Sequence, residues 1–223
     1  MLKINKFAHE PAELSAWKAL ENEDWQPTYD VLGGEPNRLL RLALVSEQGG
    51  VCCYCNRLIA GPAGAFEQGT FHIEHFRPQH PFTALELDYQ NLHASCNDEG
   101  KKRRHCGAAK ADWFNEELTL SPLTDDSQRF RYGEDGSIFG VNDPAVETTI
   151  KKLALDHPRL VEERQAQIAG KLDAGFIVAA TDDELITMYR AHQQQVSGLH
   201  EPFAMAIMQR IADLLPVSVR ETL

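Results

Sequence analysis

Phe71-His72-Ile73-Glu74-His75-Phe76-Arg77-Pro78 is the stretch on which the reading of this chain turns. Upstream of it lies Cys52-Cys53-Tyr54-Cys55, and downstream come Asp88-Tyr89-Gln90-Asn91-Leu92, Cys96 and Cys106. All 5 cysteines fall between Cys52 and Lys110, as does the dense basic run Lys101-Lys102-Arg103-Arg104-His105. On a strand, alternation sends Phe71, Ile73 and His75 to one face and His72, Glu74 and Phe76 to the other. A bend at Phe76-Arg77-Pro78 breaks that pattern and lets Glu74 and His75 converge on one site. Imidazole has an ordinary pKa of about 6.5, so His75 is a candidate to take a proton from water near neutral pH. The neighbouring Glu74 suits a hard cation such as Mg²⁺, which binds through few protein oxygens plus water and phosphate.

The cysteines carry a second chemistry. Cys52-x-x-Cys55 lets two thiolates on one tight turn reach the same tetrahedral ion at about 2.3 Å. The same spacing fits a redox pair, although nothing around it has the strand-then-helix setting of that motif. Cys96 and Cys106 are the candidate second pair, which makes a closed four-thiolate zinc site with a structural role. Cys53 is left over and packs as a small hydrophobe. The Asn91 amide can clamp backbone groups across a loop. Asn97 and Asp98 are candidates for a second metal ligand. Arg77, Lys101, Lys102, Arg103, Arg104 and Lys110 are candidate phosphate contacts.

Composition bounds these readings. A net charge of -11 over 223 residues argues against a protein that coats nucleic acid with its whole surface, so such a site must be a local basic patch. The first residues lack the apolar core of a signal peptide, and no apolar run approaches the roughly 18 residues of a membrane span. The expected location is the cytoplasm, where clustered cysteines are more often metal ligands than disulfides. The expected organisation is an N-terminal helical region (1–50), a short-stranded module (51–115), connecting loops (116–142) and a C-terminal helical region (143–223). Helices are expected from Ala12 to Leu20 and from Pro36 to Gly49-Gly50. Four more are expected: Asp143-Pro144 to about Leu155, His157-Pro158 toward Gly175, a capping box at Thr181 running to Ser197-Gly198, and one opened by Glu201-Pro202. Gly133-Glu134-Asp135-Gly136 reads as a tight turn. The fold class is mainly α with a small α+β core.

Taken together, C-x-Y-C, I-E-H-F-R-P, D-Y-x-N-L, S-C-N and H-C-G-x-x-K resemble the HNH endonucleases of the ββα-metal class. More narrowly, the chain resembles PtuB, the HNH subunit of Septu-type anti-phage systems and of some retron systems. Gln48-Gly49-Gly50, Leu153, Leu155 and His157-Pro158 extend the likeness. The resemblance implies a ββα-metal module with structural zinc on Cys52, Cys55, Cys96 and Cys106, flanked by N- and C-terminal helices. It further implies His75 as general base, Glu74 as ligand of a catalytic Mg²⁺ or Mn²⁺, and Asn91 as a loop-bracing residue. DNA or RNA is then the substrate, and an ABC or SMC-like ATPase the partner, with the C-terminal helices as its candidate interface. One position departs from the pattern: Gly107 stands where many HNH proteins carry Asn or His as a third metal ligand. Asn97, Asp98 or His105 could supply that ligand, and Asn97 is taken here. The competing readings are a zinc module without catalysis, which binds nucleic acid or only its partner, and a thiol-redox protein using Cys52 and Cys55.

Overall fold

In the computed structural model, residues 1–97 and 104–223 are described; Asp98, Lys101, Lys102 and Arg103 lie outside the described residues. Two N-terminal helices lead the chain to its cysteines. The first, α1 (Ala12–Lys18), follows Pro11 and buries Leu14, while Trp17 meets Trp25 edge to face at 5.4 Å. The second, α2 (Gly34–Glu47), starts two residues before the expected Pro36. Pro36 therefore sits inside the first turn, where its missing N–H has no helical partner to lose. Gly49 and Gly50 end this approach with φ of 61° and 72°, a region that glycine enters without a Cβ penalty. A Cβ on Gly50 would lie 3.0 Å from the Ala60 carbonyl oxygen, so the chain can reverse here only because that atom is absent.

The expected strand at Val51 is reduced to a single bridge with Leu58, around the turn that carries Cys52 and Cys55. Beyond it, β1 (Phe71–His75) and β2 (Leu92–Cys96) pair antiparallel, with Phe71 opposite Cys96, Glu74 opposite His93 and His75 opposite Leu92. A four-residue helix, α3 (Gly107–Lys110), closes a strand–strand–helix unit.

The remainder is mostly helical. A small ribbon of β3 (Arg131–Tyr132) and β4 (Ile138–Phe139) turns through Gly136 at φ 79°. Asp143 caps α4 (Pro144–Leu153), its Oδ1 accepting from Val146 N–H at 3.1 Å, and His157 Nδ1 caps α5 (Pro158–Lys171). This helix stops short of Gly175, because Asp173 accepts from Phe176 N–H and starts a separate helix, α6 (Ala174–Ala179). The Thr181–Glu184 capping box opens α7 (Asp182–His192) as expected, but the helix ends five residues before Ser197, giving way to a turn bridged by Val196 and Leu199. Phe203 takes a left-handed φ of 55°, which delays α8 (Ala204–Leu214) beyond Pro202; α9 (Val217–Arg220) finishes the chain. Met205 and Met208 are core filler, and Cys53 packs among the same apolar residues. The buried apolar residues form one cluster running from Met1 to Leu215, so helices from both ends share a core with the hairpin. Among the described residues no helix is long and apolar enough to cross a membrane.

Arg164 is 1% exposed and belongs to that core. It donates to the carbonyls of Gly136 and Leu155 and lies over the rings of Tyr132 and Phe203 at 5.5 and 5.8 Å. It thus ties α5 to the β3–β4 turn and to the start of α8. Replacing it by Met leaves two buried carbonyls without a donor, an expected loss of about 2–4 kcal/mol. Thermal unfolding of Arg164→Met should therefore shift down by on the order of 10 °C. Arg129→Ala, which removes a surface pair with Asp143, should cost no more than about 1 kcal/mol.

Candidate metal and hydrolytic site

The sulfurs of Cys52, Cys55, Cys96 and Cys106 lie within 4.8 Å of one another, all buried and none in a disulfide. A tetrahedral zinc at about 2.3 Å from each thiolate sets sulfur–sulfur edges of about 3.8 Å. The Cys55–Cys96 separation is 3.8 Å, and the Cys96 N–H donates to the Cys52 sulfur at 3.3 Å. His105 places Nδ1 at 3.6 Å from the Cys96 sulfur and 3.4 Å from that of Cys106. Burial, then the sulfurs of Cys52, Cys55 and Cys96, push the Cys106 thiol well above its ordinary value. Four thiolates therefore need a cation among them, and this cluster has the size and donor chemistry to bind zinc. The metal would be structural, joining the knuckle turn, the end of β2 and the start of α3.

That joint sets the second cluster. Gly107 follows the last sulfur, and its N–H donates to Ser95 Oγ at 3.1 Å. Its Cα faces the side chains of β1 so closely that a Cβ would stand 2.1 Å from Glu74 Oε2 and 2.5 Å from His72 Nε2. Glu74 is almost completely buried, and both of its carboxylate oxygens have polar partners. Its Oε1 accepts from Tyr54 Oη at 3.1 Å and pairs with Lys110 Nζ at 2.8 Å, while Oε2 lies 3.3 Å from His72 Nε2. Burial works to raise the pKa of Glu74, but the His72 hydrogen bond and the Lys110 charge outweigh it and hold the carboxyl below its ordinary value. In His72 burial likewise opposes a charge, and Glu74, helped by Asn97, overcomes it and raises the imidazole.

His75 is 8% exposed and occupies the next position on β1. Its Nε2 lies 3.0 Å from the Glu86 carbonyl, and Tyr29 meets its ring edge to face at 4.5 Å. A carbonyl can only accept, so Nε2 carries the proton and the lone pair of the neutral ring is on Nδ1. Burial lowers the pKa of His75, which keeps this neutral form present at pH 7. Asn91 spans the loop after β1. Its Oδ1 accepts from Arg77 N–H at 2.7 Å, and its Nδ2 donates to the carbonyls of Arg77 and Leu85 at 3.0 and 3.1 Å. Glu86 adjoins Leu85, so the same side chain helps to place the carbonyl that orients His75.

Several residues stand elsewhere than the sequence suggests. Lys110 is not a surface phosphate contact: its side chain is 1% exposed, and its ammonium donates to the His75 carbonyl at 2.9 Å besides pairing with Glu74. Asn97 is no free third ligand, because its Oδ1 lies 2.7 Å from His72 Nδ1. Arg77 does reach the surface, over the rings of Phe82 and Phe114, and Arg104 is exposed. Period-2 alternation put His72 on the face of Glu74 in the sequence, but gave it no role of its own. Sequence reasoning also found no chemistry before residue 51, yet Asn37 and Arg41 of α2 line a cleft of about 630 Å³ together with His72 and Asn97. The polar spacing of α2 that faces this cleft was the available signal.

No protein-family model matches the chain. It is 28% identical over 141 residues to a protein of Vibrio cholerae serotype O1 biovar El Tor named "Retron Vc95 putative HNH endonuclease". That match covers 59% of this chain and 64% of the relative, less than two thirds of its length.

Elemental analysis should find about one zinc per chain. Cys106→Ser should lose the metal and much of the cooperative unfolding transition, whereas Cys53→Ala should retain the metal. Equal zinc in the Cys106 and Cys53 variants would dismiss the four-sulfur site.

Proposed function

We propose that this chain is a metal-dependent endonuclease of the HNH, ββα-metal kind that hydrolyses phosphodiester bonds in DNA or RNA. In this reading it is the nuclease subunit of an anti-phage complex of the Septu or retron type, working with an ABC or SMC-like ATPase. The observation that carries the hydrolytic part is the Nε2 hydrogen bond of His75 to the Glu86 carbonyl, beside a buried carboxylate. That bond fixes one tautomer and leaves Nδ1 as the basic atom. The hairpin-and-helix arrangement around four clustered cysteines and the likeness to the retron Vc95 protein support the same reading. The ATPase rests on the sequence resemblance, with the C-terminal helices as the proposed docking region.

In the proposed reaction, His75 Nδ1 takes a proton from the attacking water, and general-base help of this kind is worth about 10²–10⁴-fold. Glu74 would hold a divalent cation, Mg²⁺ or Mn²⁺, which would supply charge stabilisation at the scissile phosphate and the leaving oxygen. Asn91 holds the 77–86 loop, and through it the His75 ring. Lys110 offsets the buried Glu74 charge and pins the His75 backbone, a positioning role rather than a contact with substrate. Arg77 and Arg104 remain candidate phosphate contacts. The competing reading, a zinc module without catalysis, draws on the same Lys110, whose ammonium already neutralises the carboxylate that a divalent ion needs.

Purified protein with Mg²⁺ or Mn²⁺, alone and with its partner, should nick plasmid DNA or cut RNA. His75→Ala should fold, keep its zinc and lose at least about 100-fold in cutting rate. Asn91→Ala should retain zinc and lose a smaller factor through loop disorder. Equal cutting by His75→Ala and the parent chain would refute the hydrolytic assignment.

A further inference from the structure

The two oxygens of Glu74 have different partners. Tyr54 and Lys110 both lie on Oε1, whereas Oε2 points to His72 Nε2 across the space that glycine leaves at 107. His72 is oriented from its other side. Asn97 Nδ2 donates to the Gly69 carbonyl at 2.8 Å, which turns Oδ1 toward His72 Nδ1 at 2.7 Å. Since that oxygen only accepts, Nδ1 carries a proton and the neutral ring presents the Nε2 lone pair toward Oε2. An imidazole held from behind by an acceptor is the usual arrangement of a metal-binding histidine. Two ligand atoms at about 2.1 Å from one ion and at right angles stand about 3.0 Å apart. The observed 3.3 Å is close to that edge. The His72 side chain is 30% exposed on the wall of the cleft with Arg41, while Glu74 lies behind it at 7%.

We propose that His72 Nε2 and Glu74 Oε2 are the paired protein ligands of the catalytic divalent cation, with Asn97 as the residue that positions His72. The proposal rests on the hydrolytic reading and gives it a metal preference. A nitrogen–oxygen pair favours Mn²⁺ over the oxygen-seeking Mg²⁺. It also fits the glycine at 107, where any Cβ would collide with both ligand atoms.

The test is Mn²⁺ and Mg²⁺ titration of zinc-loaded protein by calorimetry, with free Mn²⁺ followed by electron paramagnetic resonance. Zinc content and melting temperature are recorded for every variant. The parent chain should bind one Mn²⁺, more tightly than Mg²⁺. His72→Ala and the milder His72→Gln should each weaken Mn²⁺ binding by at least about 10-fold, and Glu74→Gln should abolish it. Asn97→Leu should weaken it by about 10–100-fold, and Asn97→Asp, which keeps the acceptor, should restore it. A His72 that merely neutralises Glu74 gives the opposite sign: its removal would free the carboxylate and tighten Mn²⁺ binding. Unchanged or tighter binding in both His72 variants, with Glu74→Gln still deficient, overturns the pair while leaving hydrolysis at Glu74 intact. Absence of Mn²⁺ binding by the parent chain overturns both readings.

Discussion

Four sulfurs must occupy one small buried volume, and they come from three places in the chain: the turn at 52–55, the end of β2 and the residue before α3. A two-stranded hairpin such as β1–β2 is marginal by itself in water. Attached through Cys96 to the knuckle and through Cys106 to α3, it acquires a back and a floor. The approach of Gly107 to Glu74 follows directly, because Gly107 is bonded to one of the four sulfur-bearing residues. The sulfur cluster and the polar cluster are therefore consecutive consequences of one chain path.

Around Glu74 the dominant issue is the cost of a buried charge. A carboxylate removed from water is tolerated only where donors replace its hydration. Tyr54 and Lys110 replace it on Oε1, from the knuckle and from α3, and His72 of β1 faces Oε2. Each of these donors is placed by backbone that the sulfur cluster has already positioned. The result is a carboxylate that stays ionised in a site where burial alone would protonate it.

What could be read from the sequence followed the range of the signals. Caps and turns are local, so the Asp143, His157 and Thr181 helix starts and the Gly133–Gly136 turn were legible, as was the gathering of Cys52, Cys55, Cys96 and Cys106. Helix ends were less so: Asp173 intercepts α5, and Phe203 delays α8, for reasons that a periodic pattern does not carry. The polar site was legible in its members and not in its pairings. Lys110 looks like one more phosphate contact beyond the basic run, and only the return of α3 across β1 turns it inward against Glu74. His72 and Gly107 are 35 positions apart, and nothing in either one's neighbourhood announces that they share a volume. Asn97 follows Cys96 and looks like a ligand, yet its amide is already engaged by Gly69 and His72.

The segment between α7 and α8 has a mechanical meaning. Its backbone grips the knuckle on both sides: His200 N–H donates to the Gly49 carbonyl at 2.8 Å, and Phe203 N–H donates to the Asn56 carbonyl at 2.9 Å. Phe203 also lies against Arg164, whose guanidinium reaches back to the β3–β4 turn. The C-terminal third of the chain is thus a clasp closed on the cysteine turn, connected to it by these two backbone bonds and by the Arg57–Glu163 ion pair at 3.0 Å. Any displacement of residues 200–203 must move the carbonyls on either side of the cysteine turn or break both bonds, so strain applied at the far helices has a short, stiff route to the four sulfurs.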